Sequence, residues 1–117
     1  MTTRRFRMWN ATGKVSLRAV LDDIDGAGLI WIIEFFDGIG RPPSRFFSDS
    51  IGDFEQYLSE NDQGFQVSWT ELLEFAEGIQ DLMDLDVSGF HESDHQRIKR
   101  VTVQGWDATE WTITLVG

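Results

Sequence analysis

The sequence predicts an α+β domain: a mainly antiparallel sheet of about four to five strands with two or three helices packed on one face. Three observations carry this. Apolar residues alternate with polar ones at both ends of the chain, as in strands. Two segments in the middle carry helix caps and 3.6-residue periodicity. The resulting order, strands then helices then strands, suits helices segregated onto an antiparallel sheet.

Residues 4–9 set Arg5, Arg7 and Trp9 against Phe6 and Met8, an edge-strand pattern. Ser16 to Ile24 fits a short helix with Ser16 as N-cap and Leu17, Val20, Leu21 and Ile24 on one stripe. The alternation of Lys14 to Leu21 also fits a strand. Leu29 to Phe36 is almost wholly β-branched or aromatic, and its unbroken apolarity predicts burial on both faces. Asp37-Gly38-Ile39-Gly40 reads as a turn, returning into a strand over Ser44 to Ser48 after Pro42 and Pro43.

A helix is predicted from Ile51 to Ser59, capped by Ser50, with Ile51, Phe54 and Leu58 inward. Gly64 to Val67 is a short extended connection. The next helix is the best specified. Ser68-x-x-Glu71 is a capping box, and Val67 and Leu72 form a hydrophobic staple around it. Continued helical periodicity puts Trp69, Leu72, Ala76, Ile79 and Met83 on one stripe. It puts Glu74, Glu77, Asp81 and Asp84 within about 80° of arc on another face. Ser88 to Arg97 reads as a polar loop. Arg100 to Gln104 and Trp111 to Val116 form a hairpin around Gly105-Trp106-Asp107-Ala108.

A chain of 117 residues implies one domain, residues 1–117. Its apolar content of 41% and aromatic content of 13% are those of a folded protein. With no cysteine, disulfides, thiol chemistry and Cys-ligated metals are excluded. The basic N-terminal run has no apolar stretch behind it, and the longest apolar run, Ala27 to Phe36, falls short of the about twenty residues of a membrane span. A cytoplasmic protein without membrane contact is expected.

Charge is sharply segregated. No lysine or arginine occurs between Arg45 and Arg97, where thirteen acids fall, while the first twenty residues hold five cations and no acid. A net charge of −10 argues against nucleic acid and favours a protein with a basic surface. Glu71, Glu74, Glu77, Asp81, Asp84 and Asp86, with Trp106 in the hairpin turn, are therefore the candidate partner-binding residues. Like charges at helical spacing, two of them near a helix C-terminus, oppose helix stability. They form either a docking face or a solvated face covered by Arg4, Arg5, Arg7 or the Arg97–Arg100 cluster. Trp106 is a hot-spot residue or packs back on Trp9 or Trp111.

Catalytic and metal chemistry find little footing. His91-Glu92-Ser93-Asp94-His95 has ligand types but no helical context, and reads as a polar loop rather than a metal site. Glu34, between Ile33 and Phe35, is the one acid embedded in apolar sequence, and its side chain should exit at a strand edge or meet an arginine. No nucleophile elbow or phosphate loop is present. No catalytic residue, metal or cofactor is assigned, and the protein is expected not to be an enzyme.

Gln66 to Ala76, followed by Gln80-Asp81-Leu82-Met83-Asp84 and Ser88-Gly89-Phe90, resembles small bacterial immunity proteins, the cognate inhibitors encoded beside polymorphic or contact-dependent toxins. Trp31 to Phe36 with Asp37-Gly38, and Asp107-x-x-x-Trp111-x-Ile113, fit the same pattern over about half the chain. The resemblance implies a monomeric or weakly dimeric binder that occludes a basic, possibly nuclease, toxin domain. An acidic secretion-type chaperone is the alternative, and a metal-dependent enzyme using His91 and His95 a more distant one.

Overall fold

Two eleven-residue strands, β4 (Leu29–Ile39) and β6 (Asp81–His91), pair antiparallel at the centre of the molecule. The computed structural model describes residues 1–93, 96 and 98–116. Within them β1 (Thr2–Arg7), β5 (Phe65–Val67), β7 (Val101–Trp106) and β8 (Glu110–Leu115) complete a six-stranded sheet in the order β1-β8-β7-β6-β4-β5. Every neighbouring pair is antiparallel. A small hairpin, β2 (Trp9–Asn10) and β3 (Gly13–Lys14), stands apart. Three helices follow the predicted caps: α1 (Leu17–Asp22), α2 (Ile51–Glu60) and α3 (Trp69–Glu77). The architecture is α+β, with one more strand than the four to five expected.

The two-residue period of the strands sorts the sheet into unlike faces. Trp31, Ile33 and Phe36 of β4, Leu85 and Val87 of β6, Val101 and Val103 of β7, and Trp111 and Ile113 of β8 are all buried. They form one cluster with Leu17, Val20 and Leu21 of α1, Phe54 and Leu58 of α2, and Leu72, Phe75 and Ala76 of α3. All three helices therefore join one face, and the other face carries none. Trp31 stacks against Trp69 with ring centroids 5.4 Å apart and donates its indole N–H to Gly26 O at 3.0 Å.

Local signals held wherever a cap marked the boundary. Ser16, Ser50 and Ser68 each accept from the backbone N–H three residues on. Both arms of the Ser68–Glu71 capping box are present. Ser16 thus settles the ambiguous segment as helix. The edge strand and the C-terminal hairpin also form as predicted. The hairpin turns through Asp107 and Ala108, both at positive φ.

Four expectations fail, and each failure traces to a long-range contact. Asp37–Gly40 is not a turn: β4 runs through to Ile39. A Cβ on Gly38 would lie 2.4 Å from Asp81 O, so this glycine serves the close approach of β6 rather than a reversal. Ser44 to Ser48 is not a strand. It is a connection that drops Phe46 among Phe54, Tyr57 and Phe65 at centroid distances of 5.0, 5.5 and 5.8 Å. Leu29 to Phe36 is not buried on both faces; Ile30 and Ile32 are half-buried and Phe35 is exposed.

The fourth failure matters most. The helix begun at Ser68 stops at Glu77 with Gly78 as its C-cap, and Asp81 to His91 is a strand. Asp84-Leu85-Asp86-Val87-Ser88 alternates strictly, and pairing with β4 and β7 buries Leu85 and Val87. Ser88, Gly89 and Phe90 are accordingly strand residues and buried, not a polar loop. Gly89 makes room for Trp31, whose ring a Cβ would meet at 3.1 Å.

Gly38→Ala should cost about 1–3 kcal/mol through overpacking against the β6 backbone. Ser68→Ala should cost about 1 kcal/mol through loss of the cap. Urea titrations of the two variants check the order; an unchanged midpoint for Gly38→Ala would show that the strands do not approach as described.

Candidate docking face

The helix-free face of the sheet is built by register. Across it run Phe35, Asp86 and Gln104, each the direct partner of the next, continuing through Thr112 to Arg5. A second row holds Asp37 opposite Asp84, and Trp106 opposite Glu110 and then Arg7. Phe35 is 46% exposed and Trp106 51% exposed. Asp84 accepts the Asp107 N–H at 2.8 Å, so its carboxylate also braces the hairpin turn. Trp106 does not fold back; Trp9 instead donates its ring N–H to Ala108 O at 2.9 Å.

The seven predicted partner-binding residues divide between two places. Asp84, Asp86 and Trp106 come together on this open face. Glu71, Glu74 and Glu77 lie on α3 across the sheet from them, because the helix ends before Asp81. Three of the predicted acids are engaged by cations far away in sequence. Glu71 pairs with Arg45, Glu77 with Arg18, and Asp81 with Lys14 Nζ at 2.6 Å. Glu74 is exposed and lines a recess with Arg41, Pro42 and Asp49. The covering cations were expected from Arg4, Arg5 and Arg7 or from the Arg97–Arg100 cluster, of which Arg97 lies outside the described residues; those on Glu71, Glu77 and Asp81 are Arg45 in the connection before α2, Arg18 on α1 and Lys14.

These pairings shift the acids in opposite directions. The hydrogen bond from Arg45 holds the Glu71 carboxyl below its usual range, and in return raises Arg45. The hydrogen bond from Lys14 likewise lowers Asp81, helped by the Leu82 N–H. Asp86 is raised, first by burial and then by the charge of Glu34, against smaller opposing effects of Gln104 and Lys99. Glu55 is raised by burial and by Asp37, which the Gly38 N–H partly offsets.

Glu34 occupies an irregularity in β4, where the register slips between Ile33 and Phe35. It meets a cation as expected, but a lysine: Lys99 Nζ lies 3.1 Å from Oε1. Phe35, Ser88, Gln104 and Lys99 were not singled out from the sequence. The signal for Ser88 was present in the period-2 run beginning at Asp84, which continued helical periodicity obscured. Phe35 and Lys99 had none, since the slip at Glu34 and the fold of the connection after β6 are tertiary facts.

A half-buried acid beside a second acid is a pattern of acid–base catalysis. Neither Asp86 nor Glu34 lines the recesses beside Arg41 and Glu74, beside Tyr57 and Phe90, or beside Ser68 and Glu71. His91 ends β6 and is exposed; Asp94 and His95, its suggested partners, lie outside the described residues. Among the described residues no group of three His, Asp or Glu side chains is placed to hold a metal. No described helix is long and apolar enough to cross a membrane. No family model, curated protein or solved structure matches the chain.

Asp86 sets a pH dependence of known sign. Its folded-state value lies above the unfolded one, so ionisation opposes folding. The penalty is complete above the raised value, shrinks as pH falls, and vanishes below the unfolded value of about 3.9. Asp86→Asn should therefore be more stable than wild type at pH 7 and equal to it near pH 3. Thermal melts of both proteins across that range test this; a variant that is less stable at pH 7 would mean Asp86 is a stabilising carboxylate.

Proposed function

We propose that this protein is an acidic binding module, of the kind represented by bacterial immunity proteins, that neutralises a basic partner by occluding it with the open face of its sheet. The observation that carries the reading is the meeting of two exposed aromatic rings, Phe35 and Trp106, with Asp37, Asp84 and Asp86 on a face no helix covers. Protein interfaces draw their energy from a few such rings, and the surrounding charges select the partner. The net charge of −10 adds long-range attraction to a cationic surface. Lys14, Arg18 and Arg45 are tied into ion pairs elsewhere and do not neutralise this face.

The partner is a protein domain with a basic surface, and a toxin encoded by the neighbouring gene is the specific expectation. The protein acts in the cytoplasm, without catalysis and without a cofactor. Occlusion needs only a rigid complementary face, and a six-stranded sheet backed by three helices supplies one. An obligate dimer that buries Phe35 and Trp106 between its subunits would favour the secretion-chaperone reading instead.

Calorimetry against the neighbouring gene product tests the face. Trp106→Ala and Asp84→Lys should each weaken binding by about tenfold or more. Glu77→Lys, on α3, should change it by less than about twofold. The reverse ranking would move the interface to the helix side and sink the proposal.

A further inference from the structure

The six-stranded sheet ends in two edges that differ in kind. β5 has three residues, Phe65–Val67. Its Gln66 carbonyl accepts from the Arg45 guanidinium at 2.6 Å, and that guanidinium lies over the Phe65 ring. β1 has six residues, paired one to one with β8 from Thr2–Leu115 to Arg7–Glu110 without a slip. It contains no proline. Alternate residues of such a strand aim their N–H and C=O away from its one neighbour. Among the described residues the backbone of β1 bonds only to β8, and five of its six residues are exposed. An edge of this kind is a template for a further strand, and folded proteins usually cover or break it.

The side chains along the edge are cationic. Arg4 lies over the Phe6 ring, 5.6 Å from its centroid, on the core side of the sheet, while Arg5 and Arg7 lie on the helix-free side. Among the described residues none of these three forms an ion pair, whereas Lys14, Arg18, Arg45 and Lys99 each do. Across the ladder Arg4 faces Ile113, Arg5 faces Thr112, and only Arg7 faces an acid, Glu110. The acidic excess belongs to other segments, since the first twenty residues hold five cations and no acid. Arginines blunt the edge against its own kind. Pairing β1 with β1 of a second copy about its middle sets Arg4 against Arg4 or Arg5 against Arg5. They do not blunt it against a strand of opposite charge.

We propose that the outer edge of β1 takes an extended acidic segment of a partner protein as a seventh strand. Backbone N–H and C=O groups supply the bonds, and carboxylates set opposite Arg5 and Arg7, or opposite Arg4 on the other side, select the segment. A peptide fits better than a phosphate chain, because the outward carbonyls of β1 need N–H donors at the strand repeat. The site uses neither Phe35 nor Trp106 and stands or falls independently of the docking reading.

The test uses the full chain, isotopically labelled, and the peptide Val-Glu-Val-Glu-Val-Glu-Val blocked at both ends. NMR should show saturable shifts confined to β1 and β8, and at saturation the outward amides of β1 should exchange with solvent at least about tenfold more slowly. Methylating every backbone nitrogen of the peptide, which leaves its charge unchanged, should weaken binding about tenfold or more. Replacing its glutamates with lysines should abolish binding. Arg5→Gln combined with Arg7→Gln should weaken the parent peptide about fivefold. A single-stranded oligonucleotide of equal charge should bind more weakly than the peptide and leave β1 exchange unchanged. The proposal is overturned if the methylated peptide or the oligonucleotide binds as tightly as the parent, since the arginines are then a plain anion patch. It is equally overturned if the unligated protein sediments as a dimer with its β1 amides already protected, because a second copy then holds the edge. Absence of any β1 shift with the parent peptide at millimolar concentration also rules it out.

Discussion

The pairing of β4 with β6 is the constraint on which the rest of this protein depends. Their ladder spans Leu29–His91 to Ile39–Asp81 and runs through the centre of the sheet. Two glycines permit it. Gly38 lets the β6 backbone approach, and Gly89 lets Trp31 lie flat beneath it. With Trp31 placed, its stack on Trp69 positions α3, and the caps at Ser50 and Ser68 bring α2 and α3 over the same face. Two slips in the ladder leave Glu34 and Met83 out of the regular pairing, and the first of them brings a second acid toward Asp86.

That ladder also divides the anionic charge into two populations with different work. Glu71, Glu77 and Asp81 hold separate parts of the chain together through Arg45, Arg18 and Lys14. Surface pairs of this kind add little stability one by one and chiefly fix how the pieces sit. Asp37, Asp84 and Asp86 instead lie on the helix-free face, where Asp84 accepts the Asp107 N–H and Asp86 has Gln104 as its hydrogen-bond partner. Phe35 and Trp106 beside these acids make that face both acidic and aromatic. Within the described residues, Arg5 and Arg7 at the β1 edge and Lys99 beside Glu34 are the cations on this side of the sheet.

The segregation of charge along the chain therefore picked out acids that the fold divides between two surfaces. Read at 100° per residue, Glu74, Glu77, Asp81 and Asp84 share a helix face. Read at 180°, Asp84, Asp86 and Ser88 share a strand face with Leu85 and Val87 opposite. Both periods fit Asp81 to Ser88, and local propensity does not choose between them. The choice is made by Val103 and Gly105 on one side and by Ile33 and Phe36 on the other, which pair with this segment from distant parts of the chain.

What the sequence determined by itself was whatever a few neighbouring residues can decide. The serine caps started the helices, the alternation of Val101 to Leu115 made the hairpin, and the absence of cysteine closed off thiol chemistry. The excess of acid set the expectation of a basic partner before any fold was known. Tertiary structure decided where β4 ends, where α3 stops and which acids look outward, because each depends on burying apolar side chains against partners dozens of residues away. Long-range burial outweighs the smaller preferences of single residues. The burial of Ser88 and of Asp86 Oδ1 belongs to that second class: two ordinary polar residues on a strand, made unusual only by what lies beside them in space.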